Sequence, residues 1–139
     1  MDYDKARLLL RVLISIFMLT HGFPKLLKLV GTDPISFSDP IGLGVTISFT
    51  LVTFAEFFCT LLVLLGLFMR PATLVLAFNM SVAGLVAMAG APFAKRELPL
   101  FYLLLFLLLF AMGPGKYSVS AWWRNRKMTA SSTTSRANE

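Results

Sequence analysis

The chain has 139 residues, of which 57% are apolar and only 14% are charged, and its mean hydropathy is +0.76. Soluble domains have roughly 45–50% apolar and about 25% charged residues, so this composition indicates lipid as the surrounding solvent. The net charge is +6, but the basic residues flank apolar runs instead of forming one stripe, which argues against nucleic-acid binding. The single cysteine, Cys59, excludes an internal disulfide or CxxC pair and is interpreted as a small buried hydrophobe.

The first predicted helix covers about residues 8–29. A membrane-spanning helix needs about 20 mostly apolar residues, so this segment is long enough to cross a bilayer. Basic residues followed by an apolar run are also typical of a signal peptide. However, the run contains Arg11 and has no small-x-small cleavage site, and we therefore expect it to be retained as a helix.

The second predicted helix covers about residues 41–68 and follows a loop rich in turn-forming residues. Ser38 or Asp39 is expected to cap it, with Pro40 at its first position, where a missing N–H costs nothing. The helix is longer than the hydrocarbon core requires. We expect it to tilt, or to place its first turn in the membrane interface.

The third and fourth predicted helices cover about residues 71–90 and 98–112. In the third, Ala83, Ala87 and Ala91 recur at a four-residue spacing that favours close packing of membrane helices. The fourth is an apolar run for which we expect no interior polar group. These four segments predict an all-α membrane protein, a bundle of four transmembrane helices.

A Gly-Pro-Gly sequence at 113–115 is predicted to end the fourth helix. Beyond it, Lys116, Tyr117 and the two tryptophans Trp122 and Trp123 are amphipathic side chains suited to the headgroup level. The membrane domain is therefore predicted to extend over residues 1–127. The last residues, 128–139, are rich in Ser and Thr and poor in apolar residues, and they are predicted to form a disordered cytoplasmic tail.

The basic residues near the predicted helix ends indicate the orientation in the membrane. Eight lie on the side of the two termini and four on the opposite side. Because loops rich in Lys and Arg stay on the inner side, both termini are predicted to be cytoplasmic. The eight are Lys5, Arg7, Arg11, Arg70, Lys116, Arg124, Arg126 and Lys127, and the four are Lys25, Lys28, Lys95 and Arg96.

Five polar side chains inside the apolar runs form a candidate polar pocket: Arg11, His21, Lys25, Glu56 and Asn79. An ionisable group near the bilayer centre costs on the order of 2.5–3.5 kcal/mol on insertion scales, so each one needs a partner or a function. At about 100° per residue, Arg11, His21 and Lys25 share one stripe of the first helix. We expect the first three helices to converge on this polar centre, with the fourth as apolar cover.

Each of these residues also has a structural interpretation. Arg11 and Lys25 are near enough to the helix ends for their charged groups to reach the interface. His21 could donate a hydrogen bond to a backbone carbonyl, and Asn79 could join two helices. Glu56 could be an ion-paired or protonated acid that only fixes packing. One histidine and one glutamate are too few ligands to predict a metal site.

Several short motifs, taken in order, resemble the DoxX family. The sequence LLRVL at 9–13 and HGFPKL at 21–26 resemble the opening helix of that family. Glu56, followed by LLGLFMRPA at 64–72, is similar to its second helix and the turn into the third. The sequence GPGKYS at 113–118 resembles its glycine-rich segment after helix four. Together the matches extend from about residue 8 to 120.

One position departs from the family pattern, because Ser120 stands where the family commonly has an acidic residue. The resemblance implies a four-helix protein of a bacterial-type inner membrane. It also implies a candidate function, because some relatives act as the small membrane subunit of a thiosulfate:quinone oxidoreductase or of a redox-stress complex. The residues carried over by the resemblance are Arg11, His21, Gly22, Lys25, Glu56, Gly113 and Gly115.

The function expected from this resemblance is that of a membrane subunit or accessory of a redox complex, quinone-linked or concerned with sulfur or oxidative stress. The chain is not expected to be catalytic alone or to bind a cofactor covalently. A quinone headgroup could occupy the polar pocket, partner proteins of the redox complex are expected, and self-association is left open. The alternatives are a non-catalytic anchor or assembly factor and a small carrier or lipid-handling protein, although we detect no inverted repeat typical of carriers.

Overall fold

The computed structural model describes residues 2–137, and this part of the chain forms five helices and no strands. Helix α1 covers Tyr3–Val30, α2 covers Val45–Leu65 and α3 covers Met69–Ala87. Helix α4 covers Phe93–Met112 and α5 covers Val119–Ala137. The all-helical class predicted from the sequence is confirmed.

Helices α1, α2 and α3 are each long and apolar enough to cross a membrane. Their outward faces and that of α4 carry large exposed apolar side chains, including Phe17, Phe78 and Leu104. A soluble protein of this size rarely exposes so continuous an apolar surface, whereas lipid contact makes it favourable. The sequence interpretation as a membrane protein is therefore supported.

The core lies between the first four helices and is made of apolar side chains that are almost completely buried. Helix α1 packs along α2, and α3 packs along α4. The close approach of α3 to α4 occurs at Gly84, where an added methyl group would lie 2.9 Å from the Leu100 side chain. The core includes Ile14, Met18, Val63, Leu76, Phe106 and Leu109.

Of the small residues predicted to pack closely in the third helix, Ala83 is partly buried, but the other two are not packed between helices. Ala87 is exposed, and Ala91 lies beyond the end of α3. The reason is that α3 changes to a π-helix over Val82–Ala87. A π-helical turn holds more residues than an α-helical turn, so it rotates the residues that follow away from their expected face.

Helix α2 begins at Val45 rather than near residue 41, so Pro40 is not its first residue. The Asp39 carboxylate accepts hydrogen bonds from the Gly44 N–H at 2.7 Å and the Ser48 hydroxyl at 2.6 Å. These bonds, the one from Ser48 first, hold the pKa of Asp39 below its ordinary value. Asp39 is therefore not the N-cap residue of α2 as predicted, because that position is Gly44, but its carboxylate binds the turn before the helix and the side chain of Ser48.

Helix α2 ends at Leu65, earlier than predicted, because Gly66 has the left-handed conformation with φ of 71°. The Leu67 N–H donates to the Leu62 carbonyl at 2.9 Å and the Gly66 N–H donates to the Val63 carbonyl at 3.0 Å. This pair of bonds is the Schellman arrangement that terminates helices at glycine. Helix α3 consequently starts at Met69, two residues before the predicted Pro71.

Several other boundaries also differ from the sequence prediction, since α1 begins at Tyr3 rather than near residue 8 and α3 ends at Ala87 rather than near residue 90. Helix α4 starts at Phe93, not at 98, because a charged first turn precedes the apolar run and Arg96 Nε donates to the Gly84 carbonyl at 2.9 Å. Residues 128–137, predicted to be disordered, continue α5 up to Ala137. The composition of this stretch opposes burial but not helix formation. The remainder of the predicted tail, residues 138 and 139, lies outside the described residues.

Candidate functional site

A buried carboxylate joins three helices near the middle of the bundle. Glu56, on α2, is 4% exposed, and its Oε2 lies 2.5 Å from the Nζ of Lys25 on α1. The Nδ2 of Asn79, on α3, donates a hydrogen bond of 3.2 Å to Oε1 of the same carboxylate. Both carboxylate oxygens therefore have a partner, and each partner comes from a different helix.

The backbone around Glu56 differs from an ordinary helix, since it lies in a π-helical stretch that covers Phe54–Cys59 within α2. Such stretches are rare and frequently occur at functional sites. The extra residue in this turn changes the direction in which Glu56 leaves the helix. The sequence analysis did not predict this π-helical stretch.

Gly22 allows α1 to reach the backbone of this π-helical stretch. A methyl group added at Gly22 would collide with the Glu56 carbonyl and lie 3.0 Å from the Phe57 nitrogen. Only glycine therefore permits the present separation of α1 and α2. Because Gly22 is one helical turn before Lys25, this contact also sets the distance between Lys25 and Glu56.

A cavity of about 160 Å³ lies beside the ion pair. Its polar lining consists of His21, Lys25, Glu56 and Tyr102, and helices α1 to α4 all contribute to it. The His21 ring meets the Tyr102 ring edge-on, with the centroids 6.0 Å apart. His21 is exposed, so the cavity reaches the surface of the bundle at that side chain. The apolar lining consists of Met18, Met80, Ala83, Met88, Leu98 and Pro99.

Four of the five residues predicted to form a polar pocket are brought together. His21, Lys25 and Glu56 line the cavity, and Asn79 holds Glu56 from the α3 side. Within this group Glu56 pairs with Lys25, while His21 packs on Tyr102.

Arg11 is not part of this site, which corrects the sequence interpretation. It is 3% exposed, and its Nη1 and Nη2 donate to the carbonyls of Pro114 at 2.8 Å and Tyr117 at 2.7 Å. Arg11 does share a helical stripe with Lys25. However, 14 residues of helix separate the two by roughly 21 Å along the axis.

The glycine-rich turn after α4 belongs to the Arg11 end of the bundle. Gly113 and Gly115 have φ of 69° and 72°, values that favour glycine. A methyl group at Gly115 would lie 2.9 Å from the Arg7 side chain, so α1 packs directly on the turn. Ser120, where the family commonly has an acid, instead donates to the Gly66 carbonyl at 2.6 Å. Backbone carbonyl oxygens are thus the hydrogen-bond partners of the Arg11 guanidinium.

Sequence reasoning missed Tyr102 and described the fourth helix as lacking polar groups, which was wrong. Tyr102 has the one side-chain hydroxyl in the run 98–112, and this composition was the signal available in the sequence. The methionines of the cavity gave no such signal, because methionine is common in apolar cores. Cys59 is buried as interpreted, with 3% exposed. Within residues 2–137, no group of three His, Cys, Asp or Glu side chains is placed to hold a metal ion.

A family model described as DoxX matches residues 6–89, more than half of the chain. The matched segment contains α2, α3 and all but the first three residues of α1, and with them Gly22, Lys25, Glu56 and Asn79. Tyr102 and the glycine-rich turn lie outside it. No curated protein and no solved structure matches the chain.

Proposed function

The chain belongs to the DoxX family, and on this basis we propose that it is a membrane subunit or accessory protein of a redox complex linked to the quinone pool. The observation that carries the proposal is the cavity beside the Lys25–Glu56 ion pair, in which His21 and Tyr102 add two further polar groups. Ionisable side chains within membrane-spanning segments are costly, and they are characteristic of ligand or proton sites.

The lining suits the headgroup of a quinone. Such a ring has two carbonyl oxygens, and the Lys25 ammonium, the Tyr102 hydroxyl and an N–H of His21 are all hydrogen-bond donors. Pockets for drug-sized ligands have about 300–1,000 Å³, so a cavity of about 160 Å³ fits one ring and leaves an apolar tail in the lipid. Reduction of a quinone to a quinol takes two electrons and two protons. The electrons would come from a redox centre of the partner enzyme, and His21 would connect the cavity with protons at the surface.

We further propose four membrane spans, with both termini in the cytoplasm and a bacterial-type inner membrane as the location. Support comes from the eight basic residues on the terminal side against four on the other, and from the 20-residue length of α4. Alkaline phosphatase fused at the C-terminus should be inactive, and phosphatase fused near Phe37 should be active. Fluorescent-protein fusions at the same positions should give the reverse pattern. Phosphatase activity of the C-terminal fusion would contradict this orientation.

The quinone site is tested by photo-crosslinking with a quinone analogue. His21→Ala should reduce labelling of the purified protein several-fold while leaving its thermal stability in detergent near that of the wild type, because His21 is exposed and lies at the rim of the cavity. Leu27→Ala is a matched control, since Leu27 is an exposed residue of the same helix, 55% exposed. A stable His21→Ala protein with unchanged labelling would rule out the proposed site.

A second candidate function is that of a non-catalytic anchor for partner proteins. It is favoured by the Glu56 carboxylate, whose contacts with Lys25 and Asn79 are those expected of an interaction that only holds three helices together. In that case the quinone analogue should give no specific labelling of either the wild type or the His21→Ala protein.

A further inference from the structure

A groove lies at the end of the bundle opposite the cavity, where α2 turns into α3 and α5 crosses the turn. Its volume is about 530 Å³. The Ser120 hydroxyl, which donates to the Gly66 carbonyl, fixes α5 against this turn. We call this feature the basic groove, and it is lined by Leu67, Phe68, Ser120, Trp123, Arg124, Lys127, Met128 and Ser131.

Only one face of α5 contributes to the basic groove. Trp123, Arg124, Lys127 and Met128 recur at spacings of three and four residues, which places them on one side of a helix. The opposite side carries Trp122 and Arg126, and the Arg126 guanidinium lies 4.2 Å from the centre of the Trp122 ring. Helix α5 therefore carries two similar sets of residues, one within the groove and one outside it.

The charge of the groove indicates an anionic partner. No Asp or Glu occurs between Glu97 and Glu139 in the sequence, so no acidic side chain of α5 neutralises Arg124 or Lys127. The same groove has an apolar wall formed by Phe68, Trp123 and Met128, all of which are highly exposed. A free phosphate ion would contact only the basic groups. A phospholipid would match both the basic and the apolar parts.

The backbone at Phe68 gives an independent indication of a binding site. Phe68 has φ of 43° and ψ of 38°, and it is the one non-glycine residue with positive φ in the described part of the chain. A bulky residue in this conformation is strained, and such strain is concentrated at functional sites. The ring is 72% exposed, so burial in the core does not compensate for this strain.

We propose that the basic groove binds an anionic phospholipid. The phosphate lies between Arg124 and Lys127, and the glycerol and upper acyl chains contact Phe68, Trp123 and Met128. The strained backbone of Phe68 keeps its ring in the path of the acyl chains. Bound lipid also fixes α5 on the membrane surface beside the turn between α2 and α3.

The two tryptophans make this proposal directly measurable, because the chain contains only two and both lie on α5. Trp122→Phe leaves Trp123 as the one reporter of the groove, and Trp123→Phe leaves Trp122 as the reporter of the other face. Each full-length variant is placed in nanodiscs of phosphatidylcholine in which either the phosphatidylglycerol or a matching share of the phosphatidylcholine is brominated. We expect Trp123 to be quenched more strongly by brominated phosphatidylglycerol, and Trp122 to be quenched equally by both lipids.

Charge variants separate a specific groove from general attraction to an anionic surface. In the Trp122→Phe background, Arg124→Gln and Lys127→Gln should each lower the relative affinity for phosphatidylglycerol about fivefold, because each removes one charge-assisted hydrogen bond to the lipid phosphate. Arg126→Gln is the matched control, since it removes the same charge from the other face. An equal loss in Arg126→Gln, or an equal preference at Trp122, would overturn the proposal.

Two further measurements complete the test. Phe68→Gly should keep the protein folded, because glycine accepts this backbone conformation, but it should weaken the preference of Trp123 for phosphatidylglycerol. Unchanged preference would contradict a role of the Phe68 ring. Millimolar inorganic phosphate should leave the preference intact. If it abolishes the preference, the groove is a site for free phosphate and not for a lipid.

Discussion

Gly22→Ala is expected to lower the free energy of unfolding in detergent by about 1–3 kcal/mol, the range found for overpacked sites in protein cores. The added methyl group would collide with the Glu56 carbonyl and lie 3.0 Å from the Phe57 nitrogen. These are backbone atoms of α2, so no side chain can rotate to make room. The helices must move apart, and the backbone of α2 carries Glu56 away from Lys25.

Gly90→Ala is the matched control for this substitution. A methyl group at Gly90 would meet no atom within 4 Å, and the change should alter stability by less than about 0.5 kcal/mol. Both variants are measured by denaturant titration in the same detergent, with helix content as the signal. Equal stability of the two variants would show that α1 and α2 are not in close contact at Gly22.

The apolar runs were sufficient to predict the helices, because about 20 apolar residues in lipid have few alternatives to a helix. They were insufficient to predict the ends. Helix α2 ends at Gly66 because of local backbone hydrogen bonds, and it begins after Gly44 because the Asp39 carboxylate organises the preceding turn. Neither effect changes hydropathy, so both ends were placed several residues away from their positions in the structure.

The candidate site was predicted in composition more accurately than in geometry. Helical periodicity shows which residues share a face, and it correctly associated His21 with Lys25. It was a poor guide to position along the helix axis, and Arg11 was therefore grouped with them. Arg11 lies nearer the other end of α1, where it donates to the carbonyls of Pro114 and Tyr117. Tyr102 was missed because it comes from the helix interpreted as cover. The π-helical stretches were missed because no residue pattern distinguishes them from an α-helix.

Lys25→Met is expected to lower the free energy of unfolding by about 3 kcal/mol, the lower end of the range for breaking a buried ion pair. The substitution removes the ammonium 2.5 Å from Glu56 Oε2, and the carboxylate is left with Asn79 as its remaining side-chain partner among the described residues. We expect the lower end because the Lys25 side chain is itself 30% exposed, and the pair is therefore partly screened. Glu56→Gln alone should cost less, about 1 kcal/mol, since glutamine still accepts the hydrogen bond from Asn79.

The double variant Lys25→Met/Glu56→Gln should recover stability to within about 1 kcal/mol of the wild type, because no unpaired charge remains inside the bundle. The recovery is measured as the coupling energy of a double-mutant cycle in one detergent. A matched cycle with Leu27→Ala in place of Lys25→Met should give no coupling, since Leu27 is an exposed apolar residue on the same helix. Additive effects of Lys25→Met and Glu56→Gln would contradict a direct pair.

The double variant also separates the two candidate functions, because it is expected to be stable but uncharged. If the cavity binds a quinone headgroup, loss of the Lys25 donor and of the Glu56 charge should reduce labelling by a quinone analogue. The double variant should then also fail to complement a deletion strain. If the ion pair only joins helices, the same protein should support function as the wild type does, because packing is restored. Lys25→Met alone cannot make this distinction, since instability and loss of a ligand contact would both reduce activity. A stable double variant that complements fully would therefore favour the anchor, and a stable one that fails would place the function in the charges themselves.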